Sequence, residues 1–118
     1  MCEKQVPPSP IIQDRNEALA RVGGDVGLLR ELTDVFLRDC PRMIEEVIDG
    51  LCAGDALKVK RGAHSIKGAV AILGGKAVFE AALRLETIAR LGDLSQAEAA
   101  WQALRTALEQ FQRLLKGG

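Results

Sequence analysis

The chain has 118 residues, the usual length of a single domain, and its sixteen basic residues balance sixteen acidic ones. A formal net charge of zero gives no field that would favour nucleic acid or an anionic membrane, so we expect another protein as the partner. No uninterrupted apolar run approaches the roughly 18 residues of a membrane span. The three cysteines form no CxxC pair, so we expect free thiols in a cytoplasmic protein.

The amino-terminal part of the chain differs in composition from the rest. Residues 1–12 contain three prolines and no apolar period, which predicts a flexible tail or linker ahead of one domain at residues 13–118. Asp14 and Glu17 then have capping-box spacing, and Gly23-Gly24 provides a stop signal. A short first helix is therefore expected between them.

The longest periodic segment begins at Asp25. Apolar residues recur there every three or four positions for about seven turns, which predicts a long amphipathic helix. Its apolar face consists of Leu29, Leu32, Phe36, Cys40, Met43, Val47 and Leu51. Pro41 removes one backbone donor, yet the apolar phase continues through it, so we favour one kinked helix over two separate ones.

Three more helices follow, separated by glycine-containing turns. Gly54-Asp55 precedes a third helix that ends at Gly74-Gly75, and a fourth helix should run from Lys76 to Leu91. Its inward residues would be Val78, Ala82, Leu85 and Ala89. Gly92-Asp93 ends the fourth helix.

The last helix has the strongest pattern. Ser95 and Glu98 have capping-box spacing at its start. Its apolar face comprises Ala97, Ala100, Trp101, Leu104, Leu108, Phe111 and Leu115. No segment shows strand periodicity, so the fold class should be all-α. We expect an antiparallel up-down-up-down four-helix bundle whose short first helix covers one end.

His64 is the single histidine, and its position on the third helix follows from a rotation of about 100° per residue. The residues within about 60° of the opposite side form a core stripe of Val59, Gly62, Ile66, Ala69, Val70 and Leu73. Those within about 60° of the histidine itself are Lys60, Arg61, Lys67, Gly68, Ala71 and Gly75. His64 is therefore expected to face outward.

The neighbours of His64 suit an anion held on the imidazole. Lys60 and Lys67 lie one turn away on either side, where ammonium groups could form charge-assisted hydrogen bonds to phosphate. Gly68 costs about 1 kcal/mol of helix stability relative to alanine, which indicates close approach by a partner. Ala71 and Gly75 are small and should leave space for a partner on the same side of the helix. Arg61 adds a further positive charge at this expected partner surface.

The segment AHSIKGAVAILGG at residues 63–75 resembles the signature of histidine-containing phosphotransfer (HPt) domains. The matching positions are His64, Ile66, Lys67, Gly68 and Gly74. The resemblance extends over nearly all of residues 14–116, through RVGGDVGLLRELTDVFL, the Gly-Asp turn at residues 54 and 55, and Arg-Leu-Glu at residues 84–86. The family often has Ser and Asn where this chain has Ala69 and Ile72.

The resemblance implies a phosphoryl carrier rather than an enzyme, with His64 as the phosphoacceptor and Lys67 neutralising phosphate charge. No GxxxxGK[ST] loop or acidic magnesium cluster provides an ATP site. In this family an imidazole nitrogen, usually Nε2, attacks the aspartyl phosphate of a receiver domain, and the receiver supplies Mg²⁺. No cofactor of its own is therefore expected. The implied partners are response-regulator receivers and a hybrid sensor histidine kinase, and we expect a monomer.

Other interpretations remain open at this point. The same fold could be the phosphate-donor domain of a chemotaxis-type histidine kinase, because Ser65 and Ile66 fit both. A helical protein-interaction domain without phosphotransfer is a weaker alternative. A metal site lacks a second histidine and paired ligands. Nucleic-acid binding is disfavoured because no aromatic residues lie among the basic side chains of the third helix.

Overall fold

The computed structural model describes residues 18–117, and this part of the chain contains helices and turns without a strand. The all-α class is thereby confirmed. Helical residues 18–21 (α1) are followed by α2 (Val26–Ala53), α3 (Ala56–Leu73), α4 (Lys76–Arg90), a 3₁₀ turn (Leu94–Gln96) and α5 (Ala97–Gly117). The tail predicted at residues 1–12 and the capping box of Asp14 and Glu17 lie outside the described residues.

Helix α2 runs without interruption through Pro41. The predicted single helix is confirmed, and the alternative of two separate helices is wrong. The continuous apolar face explains this result, because Phe36 and Cys40 before the proline and Met43 and Val47 after it are all buried in the same core. The kink at Pro41 stays a prediction.

Short turns reverse the chain between the long helices. Gly54 ends α2 with φ 67°, a left-handed conformation that favours glycine, and Asp55 then caps α3 by accepting a hydrogen bond from the Lys58 backbone N–H at 3.1 Å. Gly74 ends α3 in the same way, with φ 78°. Consecutive helices pack against each other, giving the antiparallel bundle that the sequence predicted.

Helices α2 and α3 approach closely at two glycine–valine contacts. A Cβ atom added to Gly62 would lie 2.6 Å from Cγ2 of Val47, and one added to Gly50 would lie 2.8 Å from Cγ2 of Val59. Each helix therefore contributes one glycine that accommodates a valine of the other. The two contacts fix the position of α3, which carries His64, relative to α2.

The core contains most of the apolar residues that the helical periods predicted, and four others pack against it while partly buried: Leu32, Leu51, Ala69 and Leu115. On α4 all four expected residues are buried, and on α5 the rings of Trp101 and Phe111 are 3% and 1% exposed. Phe111 packs edge-on against Phe36 with ring centroids 5.8 Å apart, which joins α5 to α2. No helix within residues 18–117 is long and apolar enough to cross a membrane.

The start of α5 differs from the prediction. Ser95 lies within the 3₁₀ turn, and the side chain of Asp93 caps that turn by accepting a hydrogen bond from the Ser95 backbone N–H at 3.0 Å. The carboxylate of Glu98 accepts instead from Nε2 of Gln102. The capping box of Ser95 and Glu98 is wrong because Asp93, two residues earlier, provides a competing acceptor.

Candidate functional site

His64 lies on the outer side of α3, and its side chain is 66% exposed. The opposite side of the helix is anchored in the core by Val59, Ile66 and Val70, each of which is fully buried. The outward orientation that the helical period predicted for His64 is confirmed. An exposed imidazole on a firmly packed helix is accessible to another protein.

The imidazole is held by a carboxylate from the neighbouring helix. Nδ1 of His64 lies 2.9 Å from Oε2 of Glu86 on α4, and the other carboxylate oxygen, Oε1, lies 2.8 Å from Nζ of Lys67. The Glu86 side chain is only 12% exposed and Lys67 is 21% exposed, so this ion pair is shielded from solvent. One carboxylate therefore connects the histidine to the lysine.

The charge of Glu86 determines which nitrogen of His64 carries a proton. Burial raises the pKa of Glu86, but hydrogen bonding and charge interactions with Lys67 and His64 outweigh it and leave this pKa below its usual value of 4.5. Glu86 is thus ionised at neutral pH and can only accept hydrogen bonds. Nδ1 of His64 must donate, which leaves the lone pair of the neutral ring on Nε2.

Lys67 does not extend freely into solvent as the prediction had it. Its side chain is partly buried by the ion pair with Glu86, and its ammonium group lies 6.0 Å from the centroid of the Phe79 ring. The prediction placed Lys67 on the open face because a single helical period contains no information about α4. Its ammonium group is nonetheless joined to His64 through one side chain.

Four of the five residues predicted to bind a partner are at least partly exposed, and the fifth, Gly75, is not. Arg61, Gly68 and Ala71 are exposed, and Lys60 is partly exposed. A Cβ atom on Gly68 would meet nothing within 4 Å, so no contact inside the domain requires glycine there. These positions leave the surface beside His64 open.

Gly75 does not belong to that surface. It is buried, and a Cβ atom there would lie 3.0 Å from Cζ of Phe111, so its small size accommodates a core ring. The prediction that Gly75 lies on the exposed partner-binding strip beside His64 is wrong. Helix α3 ends at Gly74 in a left-handed conformation, which breaks the helical phase before Gly75 is reached.

Glu86 is the residue of this cluster that the sequence interpretation missed as a site residue. It lies 22 positions after His64 and on another helix, so the period of α3 gave no information about it. The available signal was the Arg-Leu-Glu segment at residues 84–86, which belonged to the HPt resemblance. Within residues 18–117, no group of three or more histidine, cysteine or acidic side chains is arranged to hold a metal ion.

These features define a class of protein: a helical bundle that presents one oriented, exposed histidine as a group carrier. The sequence model of the Hpt domain matches residues 31–114, and the chain belongs to this family. It is a histidine phosphotransfer module of phosphorelay signalling, and such domains are phosphocarriers.

Two further comparisons complete this result. The crystal structure of histidine-containing phosphotransfer protein B (HptB) from Pseudomonas aeruginosa PAO1 is similar, with a TM-score of 0.79 and 26% sequence identity. The alignment covers 86% of this chain and 90% of that one. A search of curated proteins finds no match.

Proposed function

We propose that His64 is the phosphoacceptor, that it takes a phosphoryl group from a receiver-domain aspartate, and that it passes the group to a second receiver. The observation that carries this proposal is the 2.9 Å contact between Nδ1 of His64 and Glu86 beside an otherwise exposed ring. The contact turns an ordinary surface histidine into an oriented nucleophile, because the lone pair is kept on Nε2.

The transfer step follows from this geometry. The Nε2 lone pair of His64 attacks phosphorus, a bond forms between nitrogen and phosphorus, and the bond from phosphorus to the receiver's aspartate oxygen breaks. The aspartate leaves with that electron pair as a free carboxylate. Because Nδ1 keeps its proton, the ring becomes cationic, and the Glu86 carboxylate stabilises that charge. The reverse step returns the phosphoryl group to an aspartate.

Lys67 has a second role in this scheme. The ammonium group of Lys67 has three N–H donors, and its contact with Glu86 Oε1 uses one of them. The remaining donors are free to face phosphoryl oxygens beside His64.

The domain then needs no cofactor of its own, and the Mg²⁺ of the reaction belongs to the receiver. We propose that it is a carrier without enzymatic activity of its own.

The receiver approaches over the surface next to His64. Gly68 and Ala71 add little bulk there, while Lys60 and Arg61 provide positive charge toward the acidic phosphoaspartate site of a receiver. Partners are response-regulator receivers and a hybrid sensor histidine kinase, and the domain acts as a monomer in the cytoplasm.

Incubation with receiver domains carrying labelled aspartyl phosphate tests this function. We expect the parent protein to take up an acid-labile label, whereas His64→Ala should take up none while keeping its helical content. Label on His64→Ala would place the phosphoacceptor elsewhere. A second arm with the isolated catalytic core of a chemotaxis-type kinase and ATP distinguishes the alternative, since fast labelling in that arm alone would assign the domain to such a kinase.

A further inference from the structure

Two strongly exposed apolar side chains stand on either side of His64 along α3. Leu57 is 55% exposed and Ile72 is 44% exposed. At about 100° per residue, both lie within about 80° of His64 around the helix, on its outer face. Arg61 and Gly68 lie between them in the same row. Single exposed apolar residues are common on proteins, but these two share one face with the reactive group.

Their distance from His64 determines what covers them. Seven and eight residues of α-helix correspond to about 10.5 and 12 Å along the axis. A standard protein interface covers about 800 Å² on each partner, which is a disc of about 16 Å radius. A receiver must bring its phosphorus to bonding distance of His64, so the imidazole lies near the centre of that disc. Leu57 and Ile72 then both fall inside the covered area.

Ile72 presents a branched apolar side chain on the same face of α3 as His64, eight residues after it. An apolar side chain in an interface is favourable when it meets apolar surface and unfavourable when it covers an unpaired polar group. A partner with apolar side chains opposite Leu57 and Ile72 is therefore complementary to this face.

We propose that Leu57 and Ile72 are specificity-determining contacts, which select receiver domains that carry apolar side chains on both sides of the phosphorylated aspartate. The inference rests on the proposed function of His64 and adds the kind of receiver that it serves. The two contacts act at the rim of the reaction site and touch no reacting atom. They therefore set the affinity of the encounter and leave the chemical step unchanged.

Glutamine substitutions test the proposal, because glutamine is polar and a good helix former. The receiver is the one that phosphorylates the parent fastest in a panel of phosphorylated receiver domains. For Leu57→Gln and Ile72→Gln we expect the half-saturating receiver concentration to rise about tenfold each. The rate constant at saturation should stay within twofold of the parent, and the order of preference among the receivers should change.

Ile48→Gln is the matched control. Ile48 is 41% exposed on α2, close to the exposure of Ile72. Val47 and Gly50 form the side of α2 that contacts α3. Ile48 lies about 100° or more around α2 from both of them, on the side turned away from α3. Its substitution should leave both kinetic constants within twofold of the parent.

The possible results separate the two proposals. If the parent takes up no phosphoryl group from any receiver, the proposed function fails and the specificity inference fails with it. If the parent is labelled and both variants saturate as the parent does, or Ile48→Gln is impaired equally, the inference alone is overturned. A dimeric parent that becomes monomeric on Leu57→Gln or Ile72→Gln would also overturn it, because the strip would then bind a second copy. Thermal melts of every variant should match the parent within a few degrees.

Discussion

Glu86 Oε2 and His64 Nδ1 are 2.9 Å apart although 22 residues separate them in the chain. The contact joins α4 to the outer face of α3 at a point where solvent reaches the imidazole but hardly reaches the carboxylate. It gives a surface histidine a defined tautomer without burying the ring.

Glu86→Gln should slow phosphoryl uptake at least tenfold at saturating receiver. A glutamine amide can donate as well as accept, so it no longer requires the proton to stay on Nδ1, and it cannot stabilise a cationic ring. Nitrogen NMR of the imidazole should show protonated Nδ1 in the parent and a mixture in the variant. Glu80→Gln, an exposed change on the same helix, is the control. Equal rates for parent and Glu86→Gln would exclude the orienting role.

The stability that Glu86 contributes should depend on pH in one direction. Because the pKa of Glu86 is lowered in the folded protein, its contribution is complete above the ordinary value of 4.5 and is lost as pH falls through the lower folded value. The parent should therefore melt above Glu86→Gln at pH 7, and the two melting temperatures should converge as the pH falls below 4.5. A difference that grows as the pH falls below 4.5 would contradict the lowered pKa of Glu86.

Lys67→Ala should reduce both transfer and stability. The ammonium group is partly buried against Glu86, so its removal leaves a shielded carboxylate with one partner fewer, at a cost of about 1–2 kcal/mol. For a domain of this size each kcal/mol corresponds to about 4–8 °C in melting temperature. Arg61→Ala, at an exposed position on α3, should leave the melt unchanged. A Lys67→Ala protein as stable as the parent would show that the ion pair contributes nothing to folding.

Gly68→Ala and Gly62→Ala should have opposite effects on stability, although both place alanine in α3. A Cβ at Gly68 meets open space, so helix propensity predicts a gain of about 0.4–1 kcal/mol. A Cβ at Gly62 lies 2.6 Å from Val47, so overpacking predicts a loss of about 1–3 kcal/mol. Urea unfolding of the two variants measures both values. Destabilisation by Gly68→Ala would mean that glycine is needed there for the backbone.

Gly68→Gln should fold at least as well as the parent yet accept phosphate more than tenfold more slowly. The longer side chain keeps the helix benefit but occupies the space that a receiver needs next to His64. Stopped-flow transfer and a thermal melt of the same preparation measure the two effects. Unimpaired transfer would show that the receiver approaches from another side.

The helices and their buried faces could be predicted because local periodicity determines them. The apolar period that continues past Pro41 predicted one helix there, and α2 is a single helix. The buried residues of α4 and α5 have the helical spacing that the sequence predicted. The same reasoning could predict only part of the site. The outward direction of His64 is a property of one helix, whereas its bond to Glu86 depends on how α3 and α4 pack.

The differences between prediction and structure each have a physical cause. The helical period of α3 predicts Gly75 on the outer strip, but the backbone leaves the helix at Gly74 and the period no longer applies. Lys67 was placed in solvent because the neighbouring carboxylate lies on another segment. Ser95 lost its predicted capping role to Asp93, since two acceptors competed for the same turn.

The three charged or reactive side chains of the site belong to α3 and α4, which are consecutive helices joined by the turn at Gly74-Gly75. Closing a short loop costs little chain entropy, and proteins dominated by such local contacts fold within microseconds to milliseconds. The nucleophile, its carboxylate and its ammonium group are thus all contributed by one helical hairpin. The site therefore depends on the packing of two neighbouring helices, and no residue from a distant part of the chain is needed to bring its three side chains together.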